Sequence, residues 1–122
     1  MVSPLENQKG KRQMADKANV ALFVRLEAIP GKEAEVVALL RSALPIIEGE
    51  PSTTSWFAVQ FGPTSFGIFD TFPDRNARQA HLAGPVAEAL SSRGQELFVA
   101  QPDIEELDVL AAKLPGRSGS AG

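Results

Sequence analysis

The stretch Thr53–Gly84, TTSWFAVQFGPTSFGIFDTFPDRNARQAHLAG, contains the only tryptophan of the chain, its only histidine and five of its seven phenylalanines. Two of its segments, Thr53–Phe61 and Thr64–Phe72, are rich in the aromatic and β-branched residues that favour strands. Gly62 and Pro63, which lie between them, are typical turn residues. The pattern therefore predicts a β-hairpin.

A helix that carries the histidine is predicted directly after the hairpin. Pro73 and Asp74 suit its first turn, because proline loses no hydrogen bond there and an acid meets the positive end of the helix dipole. At 100° per residue, the predicted inward stripe contains Ala77, Ala80, His81 and Gly84. The positions predicted to point elsewhere are Arg75, Arg78, Gln79 and Leu82. An aromatic sheet beside a titratable side chain predicts a small, mostly apolar pocket with one polar function.

The segment before the hairpin predicts a strand and a helix. From Val20 onward apolar residues alternate strictly, with Val20, Leu22, Val24, Leu26 and Ala28 on one face. The opposite face carries Phe23 and a possible Arg25–Glu27 salt bridge. Helical spacing follows over Lys32–Leu44, and we expect this helix to kink or end at Pro45.

A last strand is predicted at Asp103–Leu114, which completes the order β-α-β-β-α-β. With right-handed crossovers this order gives an α+β, ferredoxin-like fold: an antiparallel four-stranded sheet with two helices on one face. We expect one domain over residues 20–115, with flexible tails at residues 1–19 and 116–122.

Both faces of the predicted hairpin are partly apolar. If helices cover one face, the other needs a second partner, because an exposed aromatic surface of that size favours association. The economical partner for so small a chain is a second copy of the same sheet, so the pattern predicts a homodimer.

Composition excludes several classes of function. A net charge of −3 without a basic stripe argues against a nucleic-acid partner. No apolar run approaches the roughly 20 residues that span a bilayer, and the first nineteen residues lack the apolar core of a secretory signal, so we expect no membrane partner and a cytoplasmic location. The chain has no cysteine and one histidine, and it has no glycine-rich phosphate loop. We therefore expect neither a metal nor a cofactor.

His81 is the natural candidate for a general base, because its unperturbed pKa lies near neutrality. Asp70 could orient His81 or act as a second base if buried, and a solvent-facing or capping role is the alternative. Trp56 could stack on a planar substrate or belong to the core. Other candidates for substrate binding are Phe23, Phe66, Phe69 and Arg25, the last as a stabiliser of a developing oxyanion. The alternative for His81 is a structural role between helix and sheet.

Four motifs together resemble the antibiotic biosynthesis monooxygenase domain. They are Ile29–Ala34 (IPGKEA), Glu50-Pro51, Phe69–Phe72 (FDTF) and Ala80–Pro85 (AHLAGP). The resemblance covers about residues 20–115 and implies a dimeric α+β barrel in which two sheets pack face to face. The sequence departs from the family at Ser52, where members often have glycine, and at Phe69–Phe72, where they have Tyr-Glu-x-Trp.

The resemblance implies several activities, since similar domains act as cofactor-independent oxygenases, haem-degrading enzymes or isomerases, and some have no known activity. We predict a cofactor-independent monooxygenase that uses molecular oxygen on a small aromatic or quinol-type metabolite, with His81 as base. One alternative is a non-catalytic dimer that is structural or binds a small ligand. Another is an isomerase of a small oxygenated metabolite, since the same base would serve enolisation.

Overall fold

A computed structural model describes residues 18–115, which form one antiparallel four-stranded sheet with helices on one side. The elements in chain order are β1 (Val20–Glu27), α1 (Glu33–Glu48), β2 (Ser55–Gln60), β3 (Ser65–Phe72), α2 (Arg75–Leu82), α3 (Pro85–Ser92), α4 (Gly94–Leu97) and β4 (Asp103–Asp108). The sheet order β2-β3-β1-β4 confirms the predicted ferredoxin-like fold. The tails predicted at residues 1–19 and 116–122 lie outside the described residues, except for Ala18 and Asn19.

Strand pairing divides the sheet into two faces, because residues that are opposite each other in a ladder share a face. Leu22 pairs with Asp70, and Asp70 pairs with Trp56. We call this side the covered face, since α1, α3 and α4 contribute Val36, Leu40, Leu90 and Leu97 to the core against it. Its buried strand residues are Val20, Leu22, Val24, Leu26, Phe66, Ile68, Asp70 and Phe72.

The other side, which we call the open face, carries the alternate residues. Phe57, Val59 and Phe61 are 55%, 42% and 52% exposed, and Phe23 and Phe69 are half-buried beside them. A Cβ at Gly67 would lie 3.2 Å from both the Phe23 and the Phe61 rings. Glycine at this position therefore lets the two rings close over β3.

The predicted Arg25–Glu27 salt bridge is wrong. The Arg25 guanidinium lies 4.9 Å from the centre of the Phe23 ring and 5.7 Å from that of Phe61. Glu27 instead accepts hydrogen bonds from the hydroxyls of Thr64 and, at 2.7 Å, of Ser65. These bonds lower the pKa of Glu27, the one from Thr64 most. The Arg25 guanidinium therefore contacts the Phe23 and Phe61 rings instead of the Glu27 carboxylate.

Two predicted boundaries also differ from the structure. Helix α1 does not end at Pro45 but continues to Glu48. Pro45 is exposed, while Ala43 and Ile47, two residues before and after it in the chain, are buried in the core. Because this packing stabilises the helix, it continues through the proline. Strand β4 ends at Asp108 rather than Leu114, because Asp108 pairs with the first residue of β1 and no strand residue remains beyond it.

Helix α2 begins later than predicted, and the side chains that face inward differ from the predicted set. Asp74 is its N-cap, and its carboxylate accepts the Ala77 N–H at 2.8 Å. Ala80 is exposed, whereas Arg78, which the helical projection placed outward, is 7% exposed. The long side chain of Arg78 reaches past the helix to the sheet, which the projection angle could not indicate.

The Arg78 guanidinium ties α2 to two strands. Its Nη1 donates to the carbonyls of Ala21 at 3.3 Å and Leu107 at 3.1 Å, and its Nη2 donates to the Glu106 carboxylate at 3.3 Å. His81 lies on the same helix one turn later. Arg78 therefore fixes the helix that carries the histidine. None of the helices in residues 18–115 is long and apolar enough to cross a membrane.

Candidate functional site

A cavity of about 710 Å³ lies between the covered face and helices α2, α3 and α4. Its walls are apolar and are formed by Leu22, Val24, Ile68, Leu82, Val86, Leu90, Phe98 and Ile104. Exposed polar side chains, Ser91, Gln95 and Gln101, also line it and mark its mouth. The inner end carries Asp70 and His81. The cavity is therefore an apolar pocket with one polar end.

Asp70 is the most buried polar side chain of this cavity. It lies on β3 and is 1% exposed, and its Oδ2 is 3.0 Å from His81 Nε2. Its other oxygen, Oδ1, is buried and has no hydrogen-bond partner among residues 18–115. A buried polar atom is normally paired. Oδ1 is thus an unused acceptor in a side chain that lines the cavity.

His81 is held from both sides by carboxylates. Its side chain is 9% exposed, and its Nδ1 is 3.0 Å from Glu50 Oε1 on the loop after α1. The same Glu50 oxygen accepts the hydroxyl of Thr53 at 2.8 Å, which fixes the carboxylate. The His81 ring also lies 5.1 Å from the Phe72 ring, centre to centre. We call this arrangement the Glu50–His81–Asp70 chain.

Burial and hydrogen bonding shift the pKa values of this chain. Burial raises the pKa of the Asp70 carboxyl above its ordinary value, and the hydrogen bond and charge of His81 only partly offset this. Burial acts to lower the pKa of His81, but its hydrogen bonds and charge interactions with Asp70 and Glu50 together outweigh burial and raise it. His81 is therefore stabilised as an imidazolium that donates to both carboxylates.

A second, more open cavity of about 720 Å³ lies beside the loop after α1. Its lining includes Glu50, Thr53, Trp56 and Pro73. Glu50 faces this cavity and Asp70 faces the first. His81 lines the first cavity, and its ring contacts one carboxylate from each cavity, Asp70 and Glu50.

Two of the seven predicted site residues, His81 and Asp70, come together at the apolar cavity. Phe66 is 1% exposed and belongs to the core. Trp56 packs against Ala43, Ile47 and Val86 and lines the second cavity, with its Nε1 buried and unpartnered among the described residues. Phe23, Phe69 and Arg25 lie on the open face, away from both cavities.

Sequence reasoning assigned no role to Glu50. Its place in Glu50-Pro51, one of the four motifs that resemble the antibiotic biosynthesis monooxygenase domain, is the signal that the sequence contains. Its contact with His81 joins residues 31 positions apart, so no local pattern could reveal it.

The charge of the apolar cavity limits what it can bind. Its lining contains no lysine or arginine, and the buried guanidinium of Arg78 is directed to Ala21, Leu107 and Glu106 instead. Within residues 18–115, no three His, Asp or Glu side chains are arranged to hold a metal ion. The inner end of the cavity therefore favours a ligand that donates a hydrogen bond over an anionic one.

A solved structure from Nitrosomonas europaea, described as a protein of unknown function, is 51% identical to this chain. The match covers 82% of this chain and 97% of that one, with a TM-score of 0.80. This chain belongs to the same family as the Nitrosomonas europaea protein. No protein-family profile matches the chain, and no curated protein is significantly similar to it.

Solved structures named for antibiotic biosynthesis monooxygenases are more distant. One from Caulobacter crescentus, which bears the name provisionally, is 15% identical, with 84% of this chain and 99% of that one covered at a TM-score of 0.67. Another is 17% identical, with 75% and 99% covered at a TM-score of 0.66. At these identities the likeness establishes fold alone. The chain has the antibiotic biosynthesis monooxygenase fold, which confirms the resemblance predicted from its sequence.

Proposed function

We propose that this chain is a cofactor-independent monooxygenase that acts on a small aromatic or quinol-type metabolite. One observation carries the proposal: the unpartnered Oδ1 of Asp70 belongs to a buried carboxylate that lines an apolar cavity. A buried base with a raised pKa beside apolar walls is the group that deprotonation of a weak carbon or phenol acid requires.

The cavity supports a neutral, largely apolar substrate with a hydroxyl group at one end. Its volume of about 710 Å³ lies within the roughly 300–1,000 Å³ that is usual for small-molecule sites. The hydroxyl or acidic C–H would point at Asp70 Oδ1, and the ring system would contact apolar walls such as Ile68 and Phe98. A fused two- or three-ring quinol fits this description.

The reaction needs no external reductant, because the substrate supplies the electrons. Asp70 takes a proton from a ring C–H or O–H, and the resulting anion reduces molecular oxygen and forms a C–O bond to it. The peroxide then loses a second hydrogen from the same carbon while its O–O bond breaks. One oxygen atom stays as a quinone carbonyl, and the other leaves as water with the two hydrogens that the substrate lost.

His81 has a supporting role in this proposal. Both of its ring nitrogens contact carboxylates, so the acceptor without a partner at this cavity is Oδ1 of Asp70. The imidazolium fixes the Asp70 carboxylate and compensates its charge as protons move. The base is thus the Asp70–His81 pair, with Asp70 in contact with the substrate.

Oxygen uptake with a panel of hydroquinones and anthrones tests the proposal. Asp70→Asn retains the size of the side chain and an acceptor for His81 but removes the base, so kcat should fall by about 10²–10⁴-fold. Asp108→Asn is the matched control, since Asp108 is an exposed carboxylate on β4 that lines neither cavity. Its kcat should equal that of the wild type.

Two outcomes would contradict the proposal. If the wild type accelerates oxygen uptake with no member of the panel, the alternative of a non-catalytic small-ligand-binding protein takes its place. If Asp70→Asn and Asp108→Asn turn over equally, Asp70 is not the base. Uncatalysed oxidation of the same compounds, measured without protein, is subtracted in each case.

We also propose that two copies associate through their open faces. Three large side chains, Phe57, Val59 and Phe61, are about half exposed there and adjoin Phe23 and Phe69. Contiguous apolar surfaces of this kind mark protein contacts, and a sheet face pairs readily with its own copy. Sedimentation equilibrium at micromolar concentration should give twice the 13.0 kDa chain mass, and a monomer would contradict the proposal.

A further inference from the structure

We infer that the Glu50–His81–Asp70 chain is a proton path between the apolar cavity and the second, open cavity, and that Glu50 is its outer end. The inference rests on the proposed function, in which Asp70 exchanges protons with a substrate. It adds a positioning residue, Glu50, and an exit route that the deprotonation step alone does not require.

Exposure increases stepwise along the chain. The Asp70 side chain is 1% exposed, that of His81 is 9% exposed and that of Glu50 is 23% exposed. The two hydrogen bonds that join them are both 3.0 Å long. A proton on Asp70 therefore has almost no contact with solvent, while two hydrogen bonds away Glu50 lines the more open cavity.

The proton transfer balances without another partner. When Asp70 Oδ1 takes a proton from the substrate, the imidazolium of His81 can pass its Nδ1 proton to Glu50, which releases it to water. Asp70 is then a neutral carboxyl and His81 a neutral imidazole, Glu50 is ionised as before, and the substrate anion is the new charge in the cavity. The reverse sequence returns a proton when the breaking peroxide requires one.

Glu50 is held in the geometry that this transfer requires. Its carboxylate accepts the Thr53 hydroxyl at 2.8 Å, and its backbone N–H donates to the Ile47 carbonyl at 2.8 Å. The nearby Glu48 also lines the open cavity and is exposed, but it has no contact with His81. Glu48→Gln is therefore a matched control that removes the same charge from the same cavity.

The single histidine allows a test that needs no substrate. In ¹⁵N-labelled protein, solvent exchange of the His81 ring N–H groups is measured by NMR for the wild type, Glu50→Gln and Glu48→Gln. The amide that replaces the Glu50 carboxylate can keep the hydrogen bond but cannot take up a proton, so exchange should slow by at least about tenfold in Glu50→Gln alone. Equal exchange in all three proteins would overturn the inference.

Turnover gives a second readout that separates the path from the function. With any quinol that the wild type oxidises, Glu50→Gln should lower kcat with KM unchanged, and millimolar imidazole, small enough to enter the open cavity, should restore kcat. If Glu50→Gln keeps the wild-type kcat while Asp70→Asn has lost it, the path is wrong and the proposed function stands. If the wild type oxidises nothing, the function fails and the NMR result alone decides the path.

Discussion

Both faces of this sheet carry large apolar side chains, but the surroundings of these side chains are opposite. On the covered face, Leu22, Ile68 and Phe72 are buried under helices, together with one carboxylate, Asp70. On the open face, Phe57 and its aromatic neighbours remain exposed. Polar groups on the covered face are few, and two of them, Asp70 Oδ1 and Trp56 Nε1, have no hydrogen-bond partner among the described residues. Burial raises the pKa of the Asp70 carboxyl on the covered face, whereas hydrogen bonds lower the pKa of the exposed Glu27 on the open face. The large apolar side chains that remain exposed on the open face can recruit a partner.

The largest stability effect should come from the covered side. Arg78→Met keeps most of the apolar stem but leaves the carbonyls of Ala21 and Leu107 without this donor, so we expect a loss of about 3 kcal/mol in the free energy of unfolding. Urea unfolding measures this loss in the free energy of unfolding. Arg75→Met, at the exposed first position of the same helix, is the control and should lose less than about 0.5 kcal/mol. Similar losses in both variants would show that Arg78 does not anchor α2.

On the open face, a substitution should change association rather than folding. Phe57→Glu places a charge in the middle of the exposed aromatic surface, and we expect the dimer Kd to rise by about 30-fold, equivalent to about 2 kcal/mol. Ala58→Glu, the next residue on β2, faces the other side at an exposed position and should leave the Kd unchanged. Sedimentation equilibrium measures the dimer Kd of both variants. Equal Kd values would show that the open face is not the dimer interface.

The covered face should also give a pH dependence of stability opposite in sign to that of Glu27 on the open face, whose pKa is lowered in the folded protein. The pKa values of Asp70 and His81 are both raised in the folded protein. Their unfolded values are about 3.9 for Asp70 and about 6.5 for His81. Each group therefore contributes stability that is complete below its unfolded pKa and is lost as pH rises through its folded pKa. Glu50 is the third titratable group in contact with this pair. The difference in unfolding free energy between the wild type and the double variant Asp70→Asn/His81→Gln should therefore be smaller at pH 8.5 than at pH 5.5. Chemical denaturation at both pH values measures it, and a difference that grows with pH would have the wrong sign.

The smallest effect concerns the cation–π contacts of the open face. Arg25→Gln in the Phe57→Glu background, where association is weak, should cost about 0.5–1 kcal/mol, because the guanidinium lies over two partly exposed rings. Arg41→Gln, on the exposed side of α1, is the control. If both substitutions have the same effect on the urea midpoint, the rings contribute nothing measurable.

Much of the fold could be predicted because it depends on local periodicity. The alternation from Val20 to Ala28 determines the covered face of β1, and the turn at Gly62-Pro63 determines the hairpin. The end of β4 could not be predicted from composition, since Leu110 and its neighbours have strand character. Leu110 is 96% exposed because β1 offers no residue to pair with it.

The site was predictable only in part. His81 is conspicuous because it is the only histidine of the chain, and Asp70 because it interrupts an aromatic strand. Glu50 and Arg78 were not, since their partners are distant in the chain and a helical projection treats a long side chain as a point on a circle. Phe23 and Arg25 were placed at the site because alternation defines two faces without indicating which one borders a cavity.

Phe69 and Asp70 are adjacent on β3 and face opposite sides of the sheet. Because strand side chains alternate with a period of two, deleting one residue from the hairpin before them would turn the phenylalanine toward the cavity and the carboxylate toward the aromatic surface. Both sides of the protein would be inverted by one such deletion. The length of the Gly62–Thr64 connection is therefore as strict a requirement for this protein as any side chain within its pocket.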